Sequence, residues 1–287
     1  MTENKKKLKV STVIIYIFLI FMTVLYLAPV AWIAITSLKT RPEIYKSPFG
    51  WPEAFQWGNY KVAWEAGKLG VAMLNSLFVC VITLILTMLL GSMAAFAIGR
   101  MKWKLSGAAM IYILIGMMIP VHCVLIPLFV RFANMGLNNN LWGLILPYLT
   151  FSLPTSVYIM TGFFRSIPNE LLESACIDGC SIYKIFFTIA LPLSRTGLFV
   201  TGLMTFIANW NELLLALVFI SDGNKKTLPV ALTKFVTPYQ TNYDKMFPAI
   251  MIAIVPTIVV YCLFSNQIVD GLTQGAVKGL SRADKIE

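Results

Sequence analysis

The strongest constraint on this chain is its hydropathy pattern: long apolar runs, almost free of charge, separated by short polar stretches. Each run reaches the ~20 residues that an α-helix needs to cross the hydrocarbon core of a bilayer. Six runs qualify, at about 13–35, 71–98, 105–130, 141–163, 196–221 and 246–266. With 58% of the 287 residues hydrophobic and 13% charged, a water-soluble domain could not hide the apolar surface. The runs are continuously apolar rather than alternating, which excludes a transmembrane β-barrel. The expectation is an all-α polytopic membrane protein, one domain over 1–287, with six transmembrane helices.

Charge placement orients it. Lys5, Lys6, Lys7 and Lys9 precede the first run, and Arg100, Lys102 and Lys104 fill the short loop after the second. The positive-inside rule puts both stretches on the cytoplasmic side. An even number of spans returns the tail, 267–287, to that side, so both termini of this multi-pass cell-membrane protein are expected in the cytoplasm. The first run exceeds the 7–15 apolar residues of a signal peptide and reads as an uncleaved span. Basic residues this near a bilayer set topology and meet anionic lipid, and nucleic acid is not an expected partner.

Other features narrow the function. The five cysteines lie in expected spans or in the inner segment, so no disulfide framework is expected. Cys176 and Cys180 are four apart with no histidine nearby, which reads as small packing residues and not as a metal site. Gly67-Lys68 is followed by leucine and lacks the preceding glycine of a phosphate-binding loop. His122, the one histidine, follows Pro120 in the third run and reads as a packed structural residue. No cofactor is therefore expected in the chain itself. The outer segment 36–70, with Pro42, Pro48, Gly50, Pro52, Gly58 and several aromatics, reads as an ordered loop with short surface helices. The outer segment 222–245 is long enough to contact an external partner. Pro147 and Pro154 predict a kink in the fourth span.

The fifth run carries Glu212, the one acidic residue placed inside the hydrophobic region, where a charge costs about 2.5–3.5 kcal/mol on insertion scales. Thr201, Thr205, Ala208, Asn209, Glu212 and Ala216 recur at helical spacing as a small, polar stripe. Two readings stand: a buried structural network, which is preferred, or a face lining a translocation path. Asn211 and Trp210 sit beside Glu212. Trp210 could offer its ring face to the C–H surface of a solute, although packing is the preferred reading. Asn75, with Ser76, is a weaker path candidate at the start of span two.

The segment 164–195 stands apart from everything else. Ser166 suits an N-cap with Pro168 in the first turn, and Glu170 and Glu173 lie near the positive end of the helix dipole. Leu171 with Ala175, and Leu172 with Cys176, form i,i+4 apolar pairs. Asp178-Gly179 predicts a left-handed stop. A second helical stretch is expected from Ser181 to Ile189, ending before Pro192. Small residues, Ser174, Ala175, Cys176, Gly179 and Cys180, suit a helix that fits into another protein's groove.

Glu173-Ser174-Ala175, then Asp178-Gly179, then Ile189-Ala190-Leu191-Pro192 resembles the EAA motif of ABC importer permeases, at the family's spacing, with Ser174 in place of the middle alanine and Cys180 in place of a usual alanine. Gly136-Leu137, residues 141–148 (LWGLILPY), Gly162-Phe163-Phe164, Trp210-Asn211-Glu212, Thr227-Leu228-Pro229-Val230 and residues 271–279 (GLTQGAVKG) resemble the maltose-type, MalG-like carbohydrate permeases. Val121-His122 departs from them, since relatives often carry a glutamine near the proline of span three. The resemblance implies a permease subunit of an ATP-driven importer of a sugar or oligosaccharide. It implies a second homologous permease, two copies of an ABC ATPase holding ATP and magnesium, and an external solute-binding protein. This chain would do no covalent chemistry. Glu173, Ser174, Ala175, Asp178, Gly179, Ile189, Leu191 and Pro192 would form a cytoplasmic coupling helix and loop seated in the ATPase, and Gln274, Gly275, Lys278 and Gly279 would bring the tail against it. An ABC importer for a non-sugar solute, or a transporter driven by an ion gradient, are the alternatives. The inner motif argues against the second of these.

Overall fold

The computed structural model describes residues 10–101, 103–237 and 241–283, with side chains described from 12 to 264. Helices occupy the apolar runs because a bilayer offers no water to pair backbone groups, so each must bond within its own segment. Among the described residues four helices are long and apolar enough to span alone: α1 (Val10–Thr36), α4 (Leu69–Arg100), α7 (Leu141–Arg165) and the first part of α14 (Tyr243–Ala283). Two pairs pass the same test only together and are sharply bent, α5 (Ser106–Met117) with α6 (Val121–Asn134) at 90° and Ile182–Leu193 with α11 (Arg195–Trp210) at 79°, and counting each as one span gives six among the described residues. No strand occurs among the described residues.

Two expected spans are broken, each for a local reason. In 105–130 the break precedes Pro120, which lacks an N–H and disfavours the helical conformation at Ile119. Pro120 is the extended N-cap of α6 (φ −67°, ψ 129°). The packed face of α6 is Val121, Leu125, Leu128, Phe129 and Phe132, so His122 falls on the other side and is exposed rather than packed. In 196–221, α11 stops at Trp210 and α12 (Leu214–Phe219) begins after three non-helical residues. By contrast α7 runs unbroken through Pro147 and Pro154, with Asn140 capping its start by accepting from the Trp142 N–H at 3.1 Å.

The chain divides into two packed units. The first comprises Met1–Leu69 and Leu232–Ile252. In it the 36–70 segment is ordered, as expected, with α2 (Arg41–Lys46) and α3 (Gly58–Gly67). Lys39 is buried, and its Nζ donates to the carbonyls of Ser47 (2.8 Å) and Pro48 (3.1 Å). The Glu43 carboxylate accepts from the Thr40 hydroxyl (2.6 Å), the Glu53 N–H (2.8 Å) and the Thr40 N–H (2.7 Å). These bonds, the Thr40 hydroxyl first, hold the Glu43 carboxyl below its ordinary pKa.

The second unit comprises Gly70–Ala231 and Ala253–Glu287, and α4 and α7 are its frame. They approach so closely that a Cβ on Gly91 would lie 2.3 Å from Ser156 Oγ. One core fills the N-terminal halves of this pair, where Val79, Leu144, Ile145 and Tyr148 meet Phe132 of α6 and Leu215 and Phe219 of α12. Another fills the C-terminal halves, where Ala95, Phe96 and Ile98 meet Val157, Met160 and Phe164. Asn75 Nδ2 donates to the carbonyls of Asn224 (2.9 Å) and Lys226 (3.0 Å), and Ser76 Oγ accepts from the Leu228 N–H (2.7 Å). Together they pin the polar stretch before α13 (Leu228–Leu232) to the start of α4.

Candidate functional site

The segment after α7 folds as two short helical arms. Ser166 does not start the first arm: α7 extends to Arg165, and Ser166 is its C-cap, with its hydroxyl donating to the Phe163 carbonyl at 2.7 Å. The first arm, α8 (Asn169–Ile177), begins instead after Pro168, which is extended at the N-cap (φ −57°, ψ 140°). Glu170 lies in its first turn. The arm ends as the Asp178-Gly179 pair predicts. Gly179 is left-handed (φ +74°), its N–H reaches the Cys176 carbonyl at 3.1 Å, and the Cys180 N–H reaches that of Ala175 at 3.0 Å. This is a Schellman closure, which favours glycine because a Cβ at positive φ is strained.

The second arm is longer than the sequence suggests. Ser181 caps it, accepting from the Lys184 N–H at 3.3 Å. It then runs as α9 (Ile182–Ile185), a π-helical turn (Phe186–Ala190) and α10 (Leu191–Leu193), so it continues through Pro192 instead of stopping before it. The π-turn explains this. The Leu191 N–H bonds back to Phe186, five residues away, and the wider register makes room for a proline that can donate nothing.

The two arms close on one groove of about 440 Å³. Leu171, Ser174, Ala175 and Asp178 line it from the first arm, and Thr188, Ile189, Pro192 and Leu193 from the second. Of the eight residues singled out from the motif, Ser174, Ala175, Asp178, Ile189 and Pro192 line it. Glu173 is exposed beside it, Gly179 shapes the turn, and Leu191 packs inward against the core. Sequence reasoning missed Thr188 and Leu193, whose placement depends on the π-turn, and Leu171 as a lining residue.

The groove is fixed to the membrane helices by aromatics. Phe186 lies 5.4 Å from Phe96 of α4, and Phe96 lies 5.6 Å from Phe164 of α7. Ala175, Ile185, Phe186 and Ala190 are buried in the same core. Removing one such buried ring costs about 3–5 kcal/mol, so the arms do not hang freely from the bundle. The groove's lining is mostly apolar, from Leu171, Ala175, Ile189, Pro192 and Leu193, with Ser174, Asp178 and Thr188 as its polar side chains. Among the described residues no three His, Cys, Asp or Glu side chains converge as a metal would require.

The other candidate residues are distributed differently. Glu212 falls in the break between α11 and α12, so the stripe read as one continuous helix is interrupted there. Its carboxylate caps α12, accepting from the N–H groups of Leu215 (2.7 Å) and Ala216 (3.1 Å), and it accepts from the Tyr148 hydroxyl at 2.5 Å. Thr201, Thr205 and Asn209 are buried on α11. Trp210 is buried and stacked on Phe206, with its indole N–H donating to the Ala253 carbonyl at 3.3 Å, so its ring face is taken by packing. Asn211 is exposed, its amide turned back to the Ile207 carbonyl at 2.9 Å. Asn75 is engaged in the pin described above. Gln274, Gly275, Lys278 and Gly279 lie on the backbone of α14, and their side chains are outside the described residues.

The sequence model for the inner membrane component of binding-protein-dependent transport systems matches residues 87–277, an interval that contains both arms, the groove and the α11–α12 break. The chain belongs to this family. Among relatives of this permease is NgcG, the permease protein of the diacetylchitobiose uptake system of Streptomyces coelicolor. The two are 35% identical over 91% of this chain and 87% of NgcG. The permease is 34% identical to SmoH, of the sulfoquinovosyl glycerol transport system of Agrobacterium fabrum, over 88% of this chain and 89% of SmoH. Its fold matches, at a TM-score of 0.78 and 19% identity, a chain in the crystal structure of a bacterial ABC transporter importing the acidic polysaccharide alginate, over 93% and 99% of the two chains. The permease is thus an all-helical membrane component of an ABC importer, and the gradient-driven alternative is set aside.

Proposed function

We propose that the permease moves a sugar or oligosaccharide into the cell, and that the groove between its two arms couples that movement to ATP hydrolysed by partner subunits. The observation that carries the coupling is that the Glu173–Gly179 and Ile189–Pro192 portions of the motif, distant in sequence, converge on one open groove rooted in the α4–α7 core. A rigid segment of a partner ATPase seated there would push on α4 and α7 through Phe96, Phe164 and Phe186. The saccharide class is supported by the relatives, whose names include diacetylchitobiose, arabinooligosaccharide and trehalose systems. An anionic saccharide is a second reading, favoured by the sulfoquinovosyl glycerol relative.

In this reading the assembly holds a second homologous permease, two ATPase subunits that bind ATP and magnesium, and an external solute-binding protein. The chain crosses the cell membrane six times with both termini cytoplasmic, and the loop 164–195 and the tail 267–287 face the ATPases. Gln274, Gly275, Lys278 and Gly279 of that tail would touch them. Glu212 and its partners serve as a structural network, and Asn211, exposed at the break, is the path candidate whose side chain is open to a solute. The permease itself makes and breaks no covalent bond.

The test is purification of the tagged permease from its native membrane in mild detergent, with its companions identified by mass spectrometry. A second permease and an ATPase should co-purify, and the associated binding protein should take up a saccharide by calorimetry. A solitary protein across several gentle detergents would overturn the assignment.

A further inference from the structure

The transport reading leaves unused a row of large aromatic side chains on the strap 47–57. Phe49 is 87% exposed, Trp51 76%, Phe55 59% and Trp57 68%. A surface bathed in water rarely carries four such rings together, and an exposed patch of this kind marks a surface that is covered.

The strap's depth is set by its root. Trp32 lies four residues before the end of α1, about 6 Å inside it at 1.5 Å per residue. Its indole N–H donates to the Pro48 carbonyl at 3.0 Å, and its ring lies 5.9 Å from that of Phe49. The buried Lys39 Nζ donates to the same Pro48 carbonyl and to that of Ser47. The Gln56 N–H returns to the Leu38 carbonyl at 2.9 Å. Both ends of the strap are therefore tied to the end of α1 and the three residues that follow it, with Phe49 held back beside the helix.

What covers the strap follows from α1 itself. Its side chains are exposed around the whole circumference, with Ile14 at 61%, Tyr16 at 57%, Ile17 at 64% and Phe18 at 58%. A helix apolar on every side belongs in hydrocarbon. The level at which such a helix ends is the membrane–water interface, where Trp and Tyr concentrate because a ring can bury its body and keep its polar edge wet.

We propose that the strap 47–57 is an interfacial anchor, with Phe49, Trp51, Phe55 and Trp57 entering the headgroup–acyl boundary of the leaflet at the C-terminal end of α1. Lys39 is its clasp. The buried ammonium holds two strap carbonyls and so fixes the depth of the rings. This role is independent of what the permease carries and of which partners drive it.

The test uses the full-length permease with its co-purifying partners in nanodiscs of phosphatidylcholine and phosphatidylglycerol, with acyl chains brominated near the carbonyl end or left unbrominated. Emission of the wild type minus that of Trp51→Leu isolates Trp51, and Trp57→Leu isolates Trp57. The expected result is that both difference spectra are quenched by brominated lipid and largely spared by aqueous acrylamide, so each variant loses one tryptophan's share of the lipid-quenched emission. Lys39→Met should shift Trp51 toward acrylamide quenching. If Lys39→Met fails to assemble, the two tryptophan differences decide alone. Quenching by acrylamide without quenching by brominated lipid would overturn the proposal in favour of a surface for an external protein. Protection from both quenchers would overturn it in favour of burial against the second permease.

Discussion

Substitutions at Gly179 test the proposed coupling, because they separate the cost to the permease's own fold from the cost to a partner seated over the turn. The φ of +74° at Gly179 is a conformation that costs an ordinary L-residue about 1–2 kcal/mol, while asparagine and aspartate adopt it at lower cost. A Cβ there would meet nothing within 4 Å inside the chain. Gly179→Ala should therefore lower stability by about 1–2 kcal/mol through backbone strain alone, and Gly179→Asn and Gly179→Asp by less. Coupling should rank the other way. If a partner surface closes over the turn, the methyl of alanine is the smallest intrusion, asparagine is larger, and aspartate adds a charge that must be desolvated. Thermal unfolding of the purified permease reads the first order, and substrate-stimulated ATPase activity with uptake in proteoliposomes reads the second. Alanine should be the least stable and most active variant, and aspartate near wild type in stability yet the most uncoupled. Transport that simply follows stability would refute a partner at the turn.

Other outcomes follow from contacts already described. Gly91→Ala drives a Cβ into Ser156 and should cost about 1–3 kcal/mol by overpacking, with Ser156→Gly restoring the melting temperature in the double variant. Tyr148→Phe should cost about 1.5–3 kcal/mol by removing a hydrogen bond to a carboxylate, and Glu212→Gln should impair assembly or uptake more than the neighbouring Leu214→Gln; a double-mutant cycle showing no coupling between Tyr148 and Glu212 would contradict their pairing. The carboxyl of Glu43 has a lowered folded pKa, so its contribution is present above the ordinary carboxylate range and lost as pH falls through the lowered value. Amide exchange across 40–53 should accelerate in that acid window, and Glu43→Gln should flatten the dependence.

The spans were legible because hydropathy integrates over some twenty residues and tolerates local error. Their interruptions were not, because proline is ambiguous on its own. Pro120 ends one helix and caps the next, whereas Pro147, Pro154 and Pro192 lie within continuous ones. Which outcome a proline takes depends on whether neighbouring turns can re-register, as the π-turn does before Pro192. The Asp178-Gly179 stop was legible because a left-handed closure has a nearly unique local solution. The cap at Ser166 was misread for the opposite reason: a serine beside a proline suits either end of a helix, and only the continuation of α7 to Arg165 decides. Motif spacing pointed to residues that line the groove, but the groove exists because Phe96, Phe164 and Phe186, each unremarkable in a hydrophobic sequence, clamp the second arm beside the first. Glu212 stands out in the sequence as an acidic residue in an apolar run, yet its use as a helix cap follows only from the helix break in front of it.

Because both walls of the groove are anchored in the α4–α7 core, its width and the arrangement of those helices are one variable. Any partner that prefers one width is thereby a ligand of one conformation of the bundle. Thermodynamic linkage makes the preference mutual: whatever factor the partner applies to the bundle's equilibrium, a solute on the opposite side that biases that equilibrium must return to the partner's affinity. The tightness with which the groove is held is then itself a report of what is bound across the membrane.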